Sequence, residues 1–156
     1  ASCSRPEAAA WCSAVAVGVS CTCLKTNTMK KVIIFTDGGA DPNPGPAAIG
    51  AIIRSERGRV VSRISQSIGQ ATNNQAEYRA VIAALEAALK LGATQVEVRS
   101  DSELMVRQVN GQYRVKAAAI RPMYIKVKQL QTQFEKCVFT HIPREENEAH
   151  RLTILT

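Results

Sequence analysis

Past residue 28 the chain holds a single cysteine, Cys137, while Cys3, Cys12, Cys21 and Cys23 crowd its start. A disulfide framework spreads cysteines through the core-forming region, so no such framework is expected. Cys21-Thr22-Cys23 lacks the spacing of a zinc site, and Cys137 reads as a small buried hydrophobe. No apolar run is long enough to span a bilayer; Ala8 to Val19 is short and broken by Ser13. No internal repeat, coiled coil or long apolar edge points to assembly. The expectation is a cytoplasmic monomer with no membrane partner. Acidic residues are also short, at 13 against 20 basic, for a net charge of +7. Residues 1–28 contribute only Arg5, Lys25 and Glu7, which leaves 18 basic and 12 acidic residues, or +6, from Met29 onward. That surplus favours a polyanionic partner; its blander meaning is a basic surface kept for solubility.

A chain of 156 residues suits one domain with a sizeable core. Residues 1–28 are rich in Ala, Ser, Val and Cys and show no period. They read as a disordered or non-native extension, with a targeting segment as the alternative. Residues 29–156 read as the domain. Lys30–Thr36 is a β-rich run, followed by the turn region Asp41-Pro42-Asn43-Pro44-Gly45-Pro46. Ala48–Arg54 and Arg59–Ile68 read as strands joined by a tight turn at Arg57-Gly58. The spacing of Ala76, Ala80, Ala83, Ala84, Ala87 and Leu91 predicts a helix from Asn74 to Leu91 stopped by Gly92. A strand over Gln95–Arg99, helices over Ser102–Asn110 and Arg121–Phe134, a strand over Cys137–Ile142 and a last helix from Glu146 complete the pattern. The order β-β-β-α-β-α-α-β-α implies an α/β fold: a five-stranded mixed sheet with helices on both faces.

Three carboxylates stand in unusual frames. Asp37 ends the run Val32-Ile33-Ile34-Phe35-Thr36 and precedes Gly38-Gly39. Glu77 falls in Thr72-Asn73-Asn74-Gln75-Ala76-Glu77-Tyr78, in the first turn of the predicted helix. Asp101 follows Val96-Glu97-Val98-Arg99-Ser100. Taken singly, each is an ordinary turn or capping residue. Together they suit a hard cation such as Mg²⁺, which wants oxygen donors. Two such cations about 3.5–4 Å apart supply nucleophile activation and charge neutralisation for phosphodiester hydrolysis. Asp37 can bridge both, with Glu77 and Asp101 completing one. Gly38 and Gly39 carry no side chains and so allow a substrate backbone to approach.

The three frames, in this order and spacing, resemble ribonuclease HI, and most closely its short reverse-transcriptase-like branch. The resemblance covers nearly all of residues 30–152 and implies the ribonuclease H fold. It also implies endonucleolytic cleavage of the RNA strand of RNA–DNA hybrids, with two ions of Mg²⁺ or Mn²⁺ per site. It places backbone near Gly38 at the RNA 2′-hydroxyl. It places Asn43 and Thr72 at a DNA-strand phosphate, and Asn73 and Asn74 along the hybrid's minor groove. The alternative for these amides is that they only shape turns.

The likeness breaks in the last helix. The family pattern there is Asn, two residues, Ala, Asp, one residue, Leu. Here Asn147-Glu148-Ala149-His150-Arg151-Leu152 is one residue shorter, and His replaces Asp. His150 is therefore open to three readings: a fourth metal ligand, a proton-handling group, or a bystander. The helix also reads as truncated, since only six residues follow His150. The basic protrusion of longer members is missing after Asn110, with Arg114, Lys116 and Arg121 as a reduced substitute. Ile142–Glu146 lacks the flexible His of longer members, and His141 reads as a structural strand residue. These departures motivate a rival function, a catalytically weak or inactive nucleic-acid-binding module on the same fold.

Overall fold

The structure, a computed structural model, describes residues 30–154; residues 1–28, read above as an extension, lie outside that range. Its centre is β1 (Lys31–Ala40), flanked by β2 (Gly45–Ser55) antiparallel and β4 (Gln95–Ser100) parallel. β3 (Val60–Ala71) pairs antiparallel with β2, and β5 (Lys136–His141) pairs parallel with β4. The sheet order is β3-β2-β1-β4-β5. As a central strand, β1 is covered on both faces and reads as a nearly continuous apolar run. Val32 and Ile34 join one core cluster, while Phe35 joins another with Ile52, Ile142 and Ala149.

The first cluster is roofed by α1 (Asn73–Lys90), α2 (Glu103–Val109) and α3 (Arg121–Gln131). α1 begins with a capping box: Thr72 Oγ1 accepts from Gln75 N, and Gln75 Oε1 accepts from Thr72 N. It ends in a Schellman motif, with Gly92 at φ 79° and bonds from Gly92 N to Leu89 O and from Ala93 N to Ala88 O. Ala76, Ala80, Ala84 and Ala88 recur every four residues on its buried face. Methyl side chains there let the helix lie close to the sheet. The second cluster is capped by α4 (His150–Ile154). Helices thus cover both faces, as the pattern implied.

Several sequence-based boundaries need correction. Gly38-Gly39 and the prolines look like breakers, yet β1 continues to Ala40 and β2 begins at Gly45, because the hairpin ladder pairs Asp37 with Gly50 and Ala40 with Ala47. Asp37 therefore lies inside a strand, not at its end. Glu77 sits one residue deeper in α1 than expected, because the helix starts at Asn73 and caps on Thr72. α3 stops at Gln131 rather than Phe134. Residues 144–146 form a 3₁₀ turn, and the last helix begins only at His150. His141 ends β5 exposed, in contrast to buried Phe139, so it takes no part in the core. Cys137 is half-buried against the core, and burial pushes its thiol up to about 11. No helix among the described residues is long and apolar enough to cross a membrane.

Candidate active site

Three elements deliver the carboxylates to one point. Asp37 comes from the middle of β1, Glu77 from the second turn of α1, and Asp101 from the residue after β4. One oxygen from each lies within 4.8 Å of the others. β1 and β4 are parallel neighbours, with Thr36 opposite Ser100, so the residues following them emerge side by side. α1 reaches the pair because of Gly38. A Cβ there would overlap the Ala76 carbonyl group and lie 2.6 Å from Glu77 N. Gly38 is thus needed for close strand–helix packing, whatever its role toward substrate.

The cluster carries electrostatic tension. Asp37 and Glu77 are 3% and 7% exposed, and carboxylates rarely bury at that level without partners. Burial first, then the charges of Asp37 and Asp101, raise the Glu77 pKa well above its ordinary value; a backbone hydrogen bond from Gly38 and the charge of Arg144 oppose this only in part. Glu77 Oε2 is buried without a hydrogen-bond partner. Three clustered carboxylates, one with an orphaned buried oxygen, make a donor set in need of a cation. The residues therefore suit a divalent ion.

The other groups are held as tightly. His150 Nδ1 lies 3.0 Å from Asp37 Oδ2. An ionised carboxylate only accepts, which assigns the proton to Nδ1 and leaves Nε2 as the ring's other nitrogen. The shortened segment has not turned His150 away, because the helix begins later and His150 occupies its first position. Asn147 is 4% exposed; its Nδ2 donates to Thr36 O at 2.8 Å and Asp101 Oδ1 at 3.2 Å. Arg144 Nε donates to Asp101 Oδ2 at 3.2 Å. Thr153 Oγ1 donates to Asp37 Oδ2 at 2.7 Å. Arg144 and Thr153 escaped the sequence reading, and Asn147 entered it only as part of a pattern.

One cavity opens on the cluster, and a second shares Asn73 with it. The first, of about 670 Å³, is lined by Asp37, Gly38, Gly39, Asn73, Glu77, Arg144 and His150, among others. The second, of about 530 Å³, brings together Asn43, Thr72, Asn73 and Asn74 with Ala117, Ala119 and Ile120 of the α2–α3 loop. Here the amide oxygens already have work. Asn73 Oδ1 accepts from Ala40 N at 2.7 Å, and Asn43 Oδ1 accepts from Asn73 N at 3.1 Å. Both side-chain oxygens thus brace backbone beside the cavity. Their NH₂ ends and the Thr72 hydroxyl proton remain as donors.

This is a ribonuclease H-like α/β fold with an acidic cluster at its centre. The sequence profile described as reverse transcriptase-like matches residues 35–152. Ribonuclease HI of Halobacterium salinarum is 42% identical over 118 residues, covering 76% of this chain and 59% of that protein. The bifunctional protein Rv2228c of Mycobacterium tuberculosis is 42% identical over 118 residues, covering 75% of this chain and 32% of its own length. The chain thus spans about a third of its mycobacterial relative. The solved N-terminal RNase H domain of that protein superposes with a TM-score of 0.78, covering 80% of this chain and 91% of the domain. LC11-RNase H1 in complex with RNA/DNA hybrid superposes at 0.76 with 44% identity, covering 80% of this chain and 95% of that one. The chain belongs to the ribonuclease HI family, in its reverse transcriptase-like branch.

Proposed function

We propose that this chain is a metal-dependent endonuclease that hydrolyses the RNA strand of RNA–DNA hybrids. The observation that carries the reading is the convergence of Asp37, Glu77 and Asp101 within 4.8 Å of one another, together with a buried, unpartnered oxygen of Glu77. Relatives that share the fold at over 40% identity bear the name ribonuclease H, and one was solved with an RNA/DNA hybrid.

Asp37, Glu77 and Asp101 would hold one ion of Mg²⁺ or Mn²⁺, and Asp37 with the His150 imidazole a second. Bound there, divalent cations neutralise the phosphate and lower the pKa of a coordinated water. The chain's own residues supply the rest. Asn147 and Arg144 fix the Asp101 carboxylate, since each donates to one of its oxygens. Arg144 keeps most of its guanidinium exposed at the cavity edge, where it can meet a phosphate oxygen. Asn43, Thr72, Asn73 and Asn74 offer neutral donors in the neighbouring cavity, suited to holding a DNA phosphate and the groove edge without adding charge. Gly39 leaves the cavity floor open to a ribose, and backbone beside it meets the 2′-hydroxyl that distinguishes RNA.

The rival reading, an inactive binding module, rested on the altered fourth position. With His150 standing against Asp37 and the three carboxylates intact, no observation favours it. The test is incubation of purified protein with a hybrid labelled on its RNA strand, in Mg²⁺, in Mn²⁺ and in EDTA. Cleavage in at least one metal and none in EDTA is expected.

A further inference from the structure

Thr153 is half-buried in α4, one turn beyond His150, and the family pattern gives it no role. Its Oγ1 lies 2.7 Å from Asp37 Oδ2 and 2.8 Å from the His150 carbonyl oxygen. A hydroxyl has one proton, and the carboxylate is the stronger acceptor. His150 Nδ1 reaches that same oxygen at 3.0 Å. Two groups from one turn of α4 therefore converge on Oδ2 of the most buried carboxylate in the site.

The geometry behind this is a glycine. Gly50 lies directly opposite Asp37 across the β1–β2 ladder. A Cβ at Gly50 would come within 2.9 Å of Ala149 O and Leu152 Cβ and 3.3 Å of Thr153 Cγ2. α4 thus sits on the Asp37–Gly50 pair, with the Thr153 methyl against β2 and its hydroxyl on Asp37.

We infer that Thr153 is a positioning residue for Asp37, holding its carboxylate in the orientation that divalent-ion binding needs. The inference rests on the metal site proposed above. A ligand carboxylate oriented by a second hydrogen bond binds without first losing rotational freedom, and removal of such partners lowers metal affinity roughly 10–100-fold. Valine at 153 keeps the shape and the methyl that faces Gly50 but has no donor. Serine keeps the donor and loses only the methyl.

The test is calorimetric titration of Mn²⁺ into the metal-free full chain for wild type, Thr153→Val, Thr153→Ser and Asp37→Asn, with melting temperature in EDTA measured beside it. Thr153→Val should bind roughly 10-fold more weakly than wild type, Thr153→Ser close to wild type, and both should melt within a few degrees of it. Equal affinity of Thr153→Val and wild type would overturn the inference, as would Thr153→Ser binding as poorly as Thr153→Val, which would make the effect one of packing. Should Thr153→Val not fold, Thr153→Ala against Thr153→Ser makes the same comparison. No Mn²⁺ binding by wild type would sink the metal site itself. Binding by wild type and Thr153→Val alike, with none by Asp37→Asn, would sink only the role of Thr153.

Discussion

Gly38 of β1 packs against the carbonyl group of Ala76 in α1 so closely that no side chain fits between them. This contact sets the distance between Asp37 and Glu77, the residues that follow or precede it in each element. Gly38→Ala must push the helix from the strand or strain both. The expected loss of stability is about 1–3 kcal/mol, typical of overpacking, read as a lower melting temperature. Mn²⁺ affinity should fall with it. A variant that melts and binds as wild type would show that the helix yields there without cost.

Glu77 gives a pH signature in metal-free protein. Its folded pKa is raised above the ordinary value of 4.5 by burial first and then by Asp37 and Asp101. Between 4.5 and that higher folded value the native state binds more protons than the unfolded chain. Stability from this group is therefore lost as pH rises through that window. Glu77→Gln removes the effect. In EDTA at neutral pH the variant should be more stable than wild type by roughly 1–3 kcal/mol, the scale for an unsatisfied buried polar group. The gap should close as pH falls toward 4.5. Thermal melts of both proteins across pH check this; a constant gap would show that Glu77 titrates alike in the folded and unfolded chain, with no raised pKa.

Much of this was legible before the structure. Asp37, Glu77 and Asp101 stand in local frames that carry their own signal, and the order of strands and helices follows from periodicity. The strand ends were not legible. Gly38, Gly39 and Gly45 suggest breaks, but ladder pairing of β1 with β2 overrides local propensity. The partners of the carboxylates were out of reach for a different reason. Arg144, Asn147 and Thr153 act across separations of 43, 46 and 116 residues, and nothing around them in sequence marks that contact. The start of α4 at His150, which decides where the imidazole points, depends on docking over Gly50.

A metal-ligand role for His150 predicts a preference between Mg²⁺ and Mn²⁺. Imidazole suits Mn²⁺ better than the harder Mg²⁺, so wild type should cleave faster in Mn²⁺. His150→Asp should raise the Mg²⁺-dependent rate, and His150→Ala should lower the rate in both. Steady-state rates of the three proteins in each metal check this. Identical rates throughout would make His150 a bystander.

Binding to the hybrid should be driven by the phosphate backbone and limited in reach. The loop after α2 exposes Arg114 and Lys116, and Arg121 opens α3, but no longer basic protrusion is present among the described residues. About 3–5 neutralised phosphates give a slope of log affinity against log salt of about −3 to −4. Fluorescence anisotropy with a labelled hybrid in Ca²⁺ or EDTA, across salt, measures it. A flat dependence would exclude this mode.

The most direct measurement is hybrid cleavage by Asp37→Asn beside wild type, in Mg²⁺ and in Mn²⁺. Asn keeps the shape of the side chain inside β1 and removes the charge shared by the cluster. Wild type should cut the RNA strand, and the variant should cut at no detectable rate while folding normally by circular dichroism. A folded Asp37→Asn protein that cleaves at the wild-type rate would contradict the assignment of Asp37, Glu77 and Asp101 as the catalytic metal site.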